Sequence, residues 1–325
     1  MSLLLRFACC TLCLISWFAC KPQASQEENV FRVVGYLFSP RDWMDGLEQV
    51  NLDRVTDINF AFINIQKDGT YRAENRMTEA IALAKKHGKK VFLSLGGGSP
   101  PDHLHTFLTP DRHVDFVEQT VEFAVRMGFD GVDVDLENDL INDQYGPLVS
   151  ALGVALKAKG KEMTAALASW NANRIADGTL ADYDRIHIMS YDQTGPWNLA
   201  KVGPHAPFEM AERDFLYFHQ ERGVPSHKLT IGLPFYGYGF GEGAPVSLTY
   251  KRLLELFPEA HESDEIKVIE GGTIYYNGEA TITKKVRFAV EQGAGGVMIW
   301  HLNGDHAGER SLLARIQLAI QSSGP

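Results

Sequence analysis

The sequence predicts a single (β/α)8 barrel, and three observations point to this α/β fold class. From Phe31 onward, short apolar segments alternate with amphipathic segments, a pattern typical of a parallel sheet covered by helices. There are eight apolar segments, which is the strand number of a TIM barrel. None of the eight is followed by a GxGxxG turn, which weakens the rival fold, an open doubly wound sheet. The length of 325 residues is compatible with one domain, as in other α/β barrels.

Each predicted strand is a short run rich in aliphatic and aromatic residues. In chain order the predicted strands cover residues 32–38, 55–65, 89–95, 129–137, 162–168, 184–191, 228–237 and 295–302. The predicted helices cover residues 77–88, 111–128, 147–160, 212–223, 284–293 and 309–321. Several of them end in glycine, a common helix stop. One long connection, residues 238–281, is too short for an independent domain. We therefore predict a short insertion between strand 7 and its helix.

The first twenty residues differ from the rest of the chain. They combine one basic residue, a short apolar run and a small residue before Cys20, which is the pattern of an export signal. The apolar run is too short to span a bilayer comfortably. All four cysteines lie here, so the exported part can form no internal disulfide and no zinc–thiolate site. The predicted organisation is a signal segment over residues 1–20, a polar tether over 21–30 and a barrel over 31–325.

The charge of the chain restricts its partners. A formal net charge of −10 argues against a nucleic acid or another polyanion as the ligand. A neutral ligand is easier to reconcile with this charge.

The fourth predicted strand contains an unusual run of acidic residues, GFDGVDVDLEND. Because side chains alternate between the two faces of a strand, Asp133, Asp135 and Glu137 share one face and the intervening aliphatic residues share the other. In a barrel, the aliphatic face packs against the helices and the acidic face points inward. Burying carboxylates without compensation is costly, so folding alone does not explain them. An exposed acidic face is the alternative, but the flanking apolar residues argue against it.

The position of this run indicates catalysis. Glu137 comes last, at the C-terminal end of the strand, where active sites of such barrels lie. Close like charges raise the pKa of at least one carboxyl group and leave a protonated acid near neutral pH, as a general acid requires. Clustered carboxylates can also bind a cation. However, one strand cannot surround an ion, and apart from Asp192 the other strand ends offer aromatic and methionine side chains. We therefore predict no metal and no cofactor.

The motif DGVDVDLE resembles DxxDxDxE of glycoside hydrolase family 18, the chitinase family. The resemblance extends over nearly all of the chain after the tether. VVGYLF, INFAF and SLGG resemble the first three strands of the family, and MSYD, GLPFYG and GGVMIW resemble the sixth, seventh and eighth.

This resemblance implies a role for each matching residue. Glu137 would protonate the glycosidic oxygen and later act as a base. Asp135 would hold the N-acetyl group of the substrate, and Asp133 would share a proton with Asp135. Tyr191 would donate a hydrogen bond to the acetamido oxygen.

The remaining matches are expected to bind the sugar. Trp300 would form the floor under the sugar at the cleavage point, since a flat aromatic ring can stack on a pyranose. The substrate-binding residues implied by the resemblance are Tyr36, Phe62, Gly97, Met189, Asp192 and Trp300.

The resemblance implies a hydrolase that cleaves β-1,4 linkages of N-acetylglucosamine polymers or oligomers (chitin or chitooligosaccharides) by substrate-assisted retaining hydrolysis. An endo-β-N-acetylglucosaminidase acting on the chitobiose core of N-glycans is an alternative. A non-catalytic lectin on the same barrel is another, although Glu137 argues against it. Three features depart from the family pattern: Asn138-Asp139 replaces an aromatic residue and proline, Tyr238 replaces a frequent arginine, and the insertion is short. The short insertion predicts an open cleft.

Cys20 resembles the cysteine of the bacterial lipobox, which is lipidated after cleavage. Trp17 and Phe18 stand where that pattern usually has smaller or aliphatic residues. The resemblance implies a lipoprotein of the bacterial outer membrane or cell surface, with a periplasmic or secreted protein as the alternative. We expect a monomer that contacts the membrane only through this anchor.

We predict that replacing Cys20 with serine moves the protein from the membrane fraction to the soluble fraction, because serine has no thiol to acylate. Fractionation and mass spectrometry of the mature N-terminus measure this directly. A wild-type protein that is already soluble and begins at another residue would contradict the prediction.

Overall fold

The computed structural model describes residues 30–39 and 41–323. The predicted signal segment with Cys20 and most of the predicted tether lie outside these residues. Within them, eight parallel strands close into a barrel in the order β1-β12-β7-β6-β5-β4-β3-β2, which confirms the predicted fold class. The barrel strands are β1 (Arg32–Leu37), β2 (Asp57–Ala61), β3 (Lys90–Gly96), β4 (Gly131–Asp135), β5 (Glu162–Leu167), β6 (Arg185–Ile188), β7 (Leu229–Pro234) and β12 (Gly296–Trp300).

The helices surround the barrel and include every predicted helix, with ends shifted by a few residues. In the described residues they are α1 (Trp43–Glu48), α2 (Met77–Lys86), α3 (Leu104–Phe107), α4 (His113–Met127), α5 (Tyr145–Lys157), α6 (Asp177–Asp182), α7 (Phe208–Leu216), α8 (Tyr250–Leu256), α9 (Glu279–Glu291) and α10 (Leu312–Ser323). The sequence patterns missed α1, α3, α6 and α8, since helices of 4 to 7 residues are too short to show helical periodicity. No helix in this part of the chain is long and apolar enough to cross a membrane.

The insertion after β7 forms a small antiparallel sheet with one helix. Its strands are β8 (Tyr236–Phe240), β9 (Ser247–Thr249), β10 (Glu265–Lys267) and β11 (Thr273–Tyr275), in the order β10-β11-β8-β9. Helix α8 follows β9, and α9 returns the chain to the barrel. The segment therefore has a folded structure of its own, placed directly beside the C-terminal end of β7.

Strand alternation separates the interior of the barrel from the core between strands and helices. Val132 and Val134 on β4 and Leu136 directly after it belong to the main hydrophobic core, each at most 1% exposed. A second, smaller apolar cluster lies inside the barrel; its buried members are Val34, Tyr36, Ala61, Ala166, Tyr191, Ala206, Tyr236 and Met298. The acidic side chains of β4 therefore point into the barrel, as strand alternation predicts. The interior that they meet contains several tyrosines.

Candidate active site

The three carboxylates of the acidic run lie along one line from the barrel interior to its mouth. Asp133 is 0% exposed and Asp135 is 3% exposed, while Glu137 follows the end of β4 in an extended conformation and is partly exposed. The strand therefore delivers its acidic side chains at increasing distance from the closed interior. Their different surroundings give them different proton affinities.

Asp133 is surrounded by hydroxyl donors from three strands. Tyr36 Oη and Ser94 Oγ donate to its Oδ2 at 2.8 and 2.7 Å, and Thr164 Oγ1 donates to Oδ1 at 2.6 Å. Burial raises the pKa of Asp133, and these hydrogen bonds oppose the increase. Tyr36 is 1% exposed, so it contacts Asp133 from within the barrel instead of lining the open cleft.

Sequence reasoning missed two neighbours of Asp133. Thr164 lies on β5, and His187 on β6 places Nε2 3.7 Å from Asp133 Oδ1. Burial lowers the pKa of His187 to about 3, helped by the nearby charge of Arg185, so the ring is neutral and brings no positive charge. Strand alternation could have identified them, because both residues are polar and occupy inward positions of strands that are otherwise apolar.

Asp135 is the least compensated carboxylate of the site. Its Oδ1 is buried and has no hydrogen-bond partner among the described residues. Burial, followed by the charges of Glu137 and Asp133, raises its pKa well above the ordinary value. Asp135 and Glu137 also share a hydrogen bond, which requires a proton on one of them. The pair therefore retains a proton under conditions in which two isolated carboxyl groups would both be ionised.

Glu137 is the proton donor best placed to reach a ligand. Burial, together with the charge of Asp192, raises its pKa to about 7, and the hydrogen bond with Asp135 opposes this increase. Gly98 faces the carboxylate, and a Cβ at that position would lie 3.3 Å from Oε1. The glycine therefore keeps the approach to Glu137 open. Such a carboxyl group can act as acid and base near neutral pH.

Tyr191 follows β6 and points into the barrel interior. It is 9% exposed, and its ring meets Tyr236 edge-on at 6.2 Å between centroids. Its hydroxyl has a long contact of 3.8 Å with Met298 Sδ. Burial and the surrounding carboxylates, Asp135 first, raise the pKa of Tyr191 well above the ordinary value, so the phenol stays protonated and can donate a hydrogen bond. Met189 packs partly buried against the same apolar cluster.

Trp300 forms an aromatic platform that is supported from behind. Its ring stacks on Phe62 at 5.4 Å with an interplanar angle of 23°, and it meets the edge of Tyr36 at 5.5 Å. Gly97 has a φ of +89°, and a Cβ there would lie 2.5 Å from the Phe62 ring. The absence of a side chain at Gly97 leaves room for the ring of Phe62, and that ring packs against Trp300 and orients it. The peptide bonds before Phe62 and after Trp300 are both cis.

Asp192 forms one wall of the site. Its carboxylate accepts a 2.5 Å hydrogen bond from Tyr236 Oη and lies 3.3 Å from His205 Nδ1. Its side chain remains 38% exposed. Sequence reasoning found Asp192 but missed both partners, which come from β8 and from the loop before α7.

An open cavity of about 780 Å³ is lined by Glu137, Tyr191 and Asp192, whereas Trp300 and the two buried aspartates do not line it. Two strongly exposed aromatic residues line it, Trp170 at 62% and Trp197 at 60% exposure. Exposed tryptophans beside a partly protonated carboxyl group suit a sugar ligand, because indole rings offer flat apolar faces. No residue between 239 and 273 lines this cavity, so the insertion forms no wall of it. Among the described residues, no group of three or more His, Cys, Asp or Glu side chains could hold a metal ion.

Comparison with known proteins gives a consistent result. A sequence model described as Glycosyl hydrolases family 18 matches residues 32–305. An endochitinase from Manduca sexta is 27% identical over 262 residues, which cover 67% of this chain and 47% of that protein. The chain spans about half the length of the first two curated relatives, 47% and 55%.

Two solved structures resemble the chain over nearly its whole length. A GH18 chitinase from the chitin utilization locus of Flavobacterium johnsoniae has a TM-score of 0.82 and 33% identity, covering 90% of this chain and 94% of that one. A chitinase from Bacteroides thetaiotaomicron has a TM-score of 0.78 and 28% identity, covering 91% and 98% of the two chains.

The raised pKa of Asp135 predicts a pH-dependent effect on stability. The folded state binds this proton more tightly than the unfolded chain does, so the ionised form is destabilising and its cost appears as the pH rises through the folded-state pKa. We predict that Asp135→Asn raises the free energy of unfolding at about pH 8 by about 0.5–2 kcal/mol. The gain should vanish near about pH 4, where the folded wild-type group is protonated.

Denaturant unfolding at both pH values measures this difference. The control is Asp111→Asn, since Asp111 is exposed and its substitution should change little at either pH. A destabilised Asp135→Asn variant at the higher pH would contradict the prediction.

Proposed function

The chain belongs to glycosyl hydrolase family 18, and we propose that it hydrolyses β-1,4 linkages in N-acetylglucosamine polymers or oligomers, namely chitin or chitooligosaccharides. The observation that carries this proposal is the state of Glu137: its pKa is raised to about 7, and its carboxyl group lies in an open cavity lined with tryptophan. Glu137 can therefore donate a proton near neutral pH to an oxygen atom bound in that cavity.

The arrangement of the carboxylates favours catalysis assisted by the substrate. A two-carboxylate retaining enzyme needs its nucleophile about 5–5.5 Å from the acid, where it can attack the anomeric carbon opposite the leaving group. Asp135 lies on the same strand face as Glu137, shares a hydrogen bond with it and is almost fully buried. We therefore assign the attack to the 2-acetamido oxygen of the substrate, an exception to the two-carboxylate rule that is known for this family.

In the first step, the acetamido oxygen forms a bond to the anomeric carbon while the glycosidic bond breaks. Glu137 gives its proton to the departing oxygen. Asp135 accepts the N–H of the resulting oxazolinium ion, and Tyr191 donates a hydrogen bond that orients the acetamido oxygen. Asp133 shares a proton with Asp135 as the charge of the intermediate changes. Water then attacks the anomeric carbon, Glu137 takes its proton, and the oxazolinium ring opens.

The choice of substrate rests on the relatives. The similar solved structure from Flavobacterium johnsoniae comes from a chitin utilization locus, and the Manduca sexta relative is an endochitinase. The partly exposed Trp300, backed by Phe62, offers a platform for one sugar ring. An N-glycan endoglycosidase finds no such support among these relatives, and a lectin would not need the proton affinity of Glu137.

For cellular location, the support comes from the sequence alone. The apolar run before Cys20 and the polar segment after it favour a protein that is exported and held at a membrane surface by a lipid on Cys20.

We predict that Glu137→Gln lowers the turnover of chitotetraose by at least about 10²–10⁴-fold, because the nearly isosteric amide removes the acid and base. Binding of chitotetraose, measured by calorimetry, should persist. Asp139→Asn is the matched control, since Asp139 is an exposed carboxylate two residues away, and it should leave turnover largely unchanged. Unaltered turnover in Glu137→Gln would move the catalytic role to another carboxylate.

The proposed mechanism also predicts the stereochemistry and the substrate requirement. Newly formed products should have the β configuration in NMR spectra taken before mutarotation, and cellooligosaccharides should not be cleaved because they lack the 2-acetamido group. Mass spectrometry of products from chitotetraose and from a high-mannose glycopeptide separates the chitinase from the N-glycan alternative. An initial α-anomer, or efficient cleavage of cellooligosaccharides, would rule the mechanism out.

A further inference from the structure

Asp192 influences the catalytic acid and faces the ring of His205. Its negative charge is the second cause of the raised pKa of Glu137, after burial. In the described part of the chain, the only ion-pair partner within 4.0 Å of Asp192 is His205, whose Nδ1 lies 3.3 Å from Oδ1. Tyr236 Oη also donates to this carboxylate, and Tyr238 lies nearby, but both are neutral phenols. His205 is therefore the residue placed to pair with the Asp192 carboxylate.

The surroundings of His205 are complementary to an imidazolium ion. The residue is 0% exposed. Its Nδ1 faces the carboxylate of Asp192 and its Nε2 lies 3.3 Å from the carbonyl oxygen of Tyr236. Both of these oxygens only accept hydrogen bonds, so the ring satisfies both only when each nitrogen carries a hydrogen. The rings of Tyr236 and Tyr238 pack against it with centroids at 5.0 and 5.1 Å, and aromatic rings favour a nearby cation.

The loop that carries His205 is fixed by contacts that do not involve its ring. The backbone carbonyl oxygen of His205 accepts a hydrogen bond from Gln193 N at 3.0 Å. The next carbonyl, of Ala206, accepts hydrogen bonds from Lys285 Nζ at 2.8 Å and from Asn277 Nδ2 at 2.9 Å. The backbone is therefore held in place whether or not the imidazole carries a charge.

Two lysines lie close to this loop, Lys201, whose Nζ donates to the carbonyl oxygen of Gln193 at 3.1 Å, and Lys285. Lys285 is fully buried, and burial lowers its pKa to about 7, which weakens the repulsion that a nearby ammonium would exert on an imidazolium. The titratable and charged groups around His205 are thus Asp192 beyond β6, Lys201 in the same loop, Tyr236 and Tyr238 on β8, and Lys285 on α9.

We propose that His205 is the counter-ion of Asp192 and a positioning residue for catalysis. As an imidazolium it holds the Asp192 carboxylate at the wall of the cavity and offsets the effect of its charge on Glu137. The inference rests on the proposed role of Glu137 as the acid. If it holds, the pH at which activity falls on the alkaline side depends on Glu137, Asp192 and His205 together.

A double-mutant cycle on the pH dependence of kcat/KM tests the proposal, since this profile reports groups of the free enzyme. In His205→Asn the charge of Asp192 is no longer offset, so the pKa of Glu137 should increase. The alkaline limb should move upward by roughly half to one pH unit, as expected for a unit charge several ångströms away in a partly hydrated site. Asp192→Asn should not move the limb upward, because the negative charge that raises the pKa of Glu137 is lost together with the charge that offsets it.

The double variant distinguishes a charge effect from a general disturbance. In the Asp192→Asn background, His205→Asn should cause no further shift. His219→Asn is the matched control, because His219 Nδ1 also donates to a backbone carbonyl oxygen, that of Val224, and the residue lines no part of the cavity. Its pH profile should equal that of the wild type. An unshifted limb in His205→Asn, or an equal shift in both backgrounds, would overturn the proposal.

A measurement that needs no turnover separates this proposal from the proposed function. Nitrogen NMR of the histidine rings in the full chain should show both nitrogens of His205 protonated near neutral pH, and one nitrogen protonated in Asp192→Asn at the same pH. A single protonated nitrogen in the wild type would overturn the proposal even if chitotetraose is hydrolysed. If no chitooligosaccharide is hydrolysed, the proposed function fails while the NMR result still decides the state of His205. The NMR measurement also decides the protonation state of His205 if the His205→Asn variant does not fold.

Discussion

The burial of carboxylates inside a closed barrel is the constraint on which the rest of the site depends. Asp133 and Asp135 lie almost completely out of water, where an ionised carboxylate is costly unless it is paired or hydrogen-bonded. Hydrogen bonds within the protein offset part of this cost. Hydroxyl groups from β1, β3 and β5 stabilise Asp133, while one oxygen of Asp135 has no partner in the described residues. The remaining cost is reduced when a proton is shared along the strand.

Three carboxylates on one strand thereby acquire three chemical characters. Asp133 has its hydrogen bonds satisfied, Asp135 is buried and poorly compensated, and Glu137 is partly exposed with a pKa raised to about 7. Proton affinity therefore differs along a single line of side chains that the strand geometry sets. A substrate group that replaced the missing partner of Asp135 would gain a strong hydrogen bond, and this is the place where the proposed mechanism puts the acetamido N–H.

The platform and the wall of the site are built by indirect support. Gly97 has no side chain because Phe62 occupies that space, and Phe62 in turn fixes the plane of Trp300. On the other side, His205 and Tyr236 hold Asp192. In both cases a neighbouring side chain supports a residue that the sequence predicts to bind the sugar. Such support keeps the reacting groups within the narrow geometric limits that catalysis requires.

The sequence by itself determined the barrel, its strands and the inward face of β4, because hydrophobic periodicity and alternation are local properties of the chain. It also identified Glu137, Asp135, Asp133 and Tyr191 as candidates through motifs contained in single strand ends. The tertiary structure alone decided that Thr164 and His187 surround Asp133, that Gly97 and Phe62 support Trp300, and that His205 faces Asp192. These contacts join strands and loops that are distant in the chain, and their geometry is set only when the barrel closes and side chains from different strands share one interior.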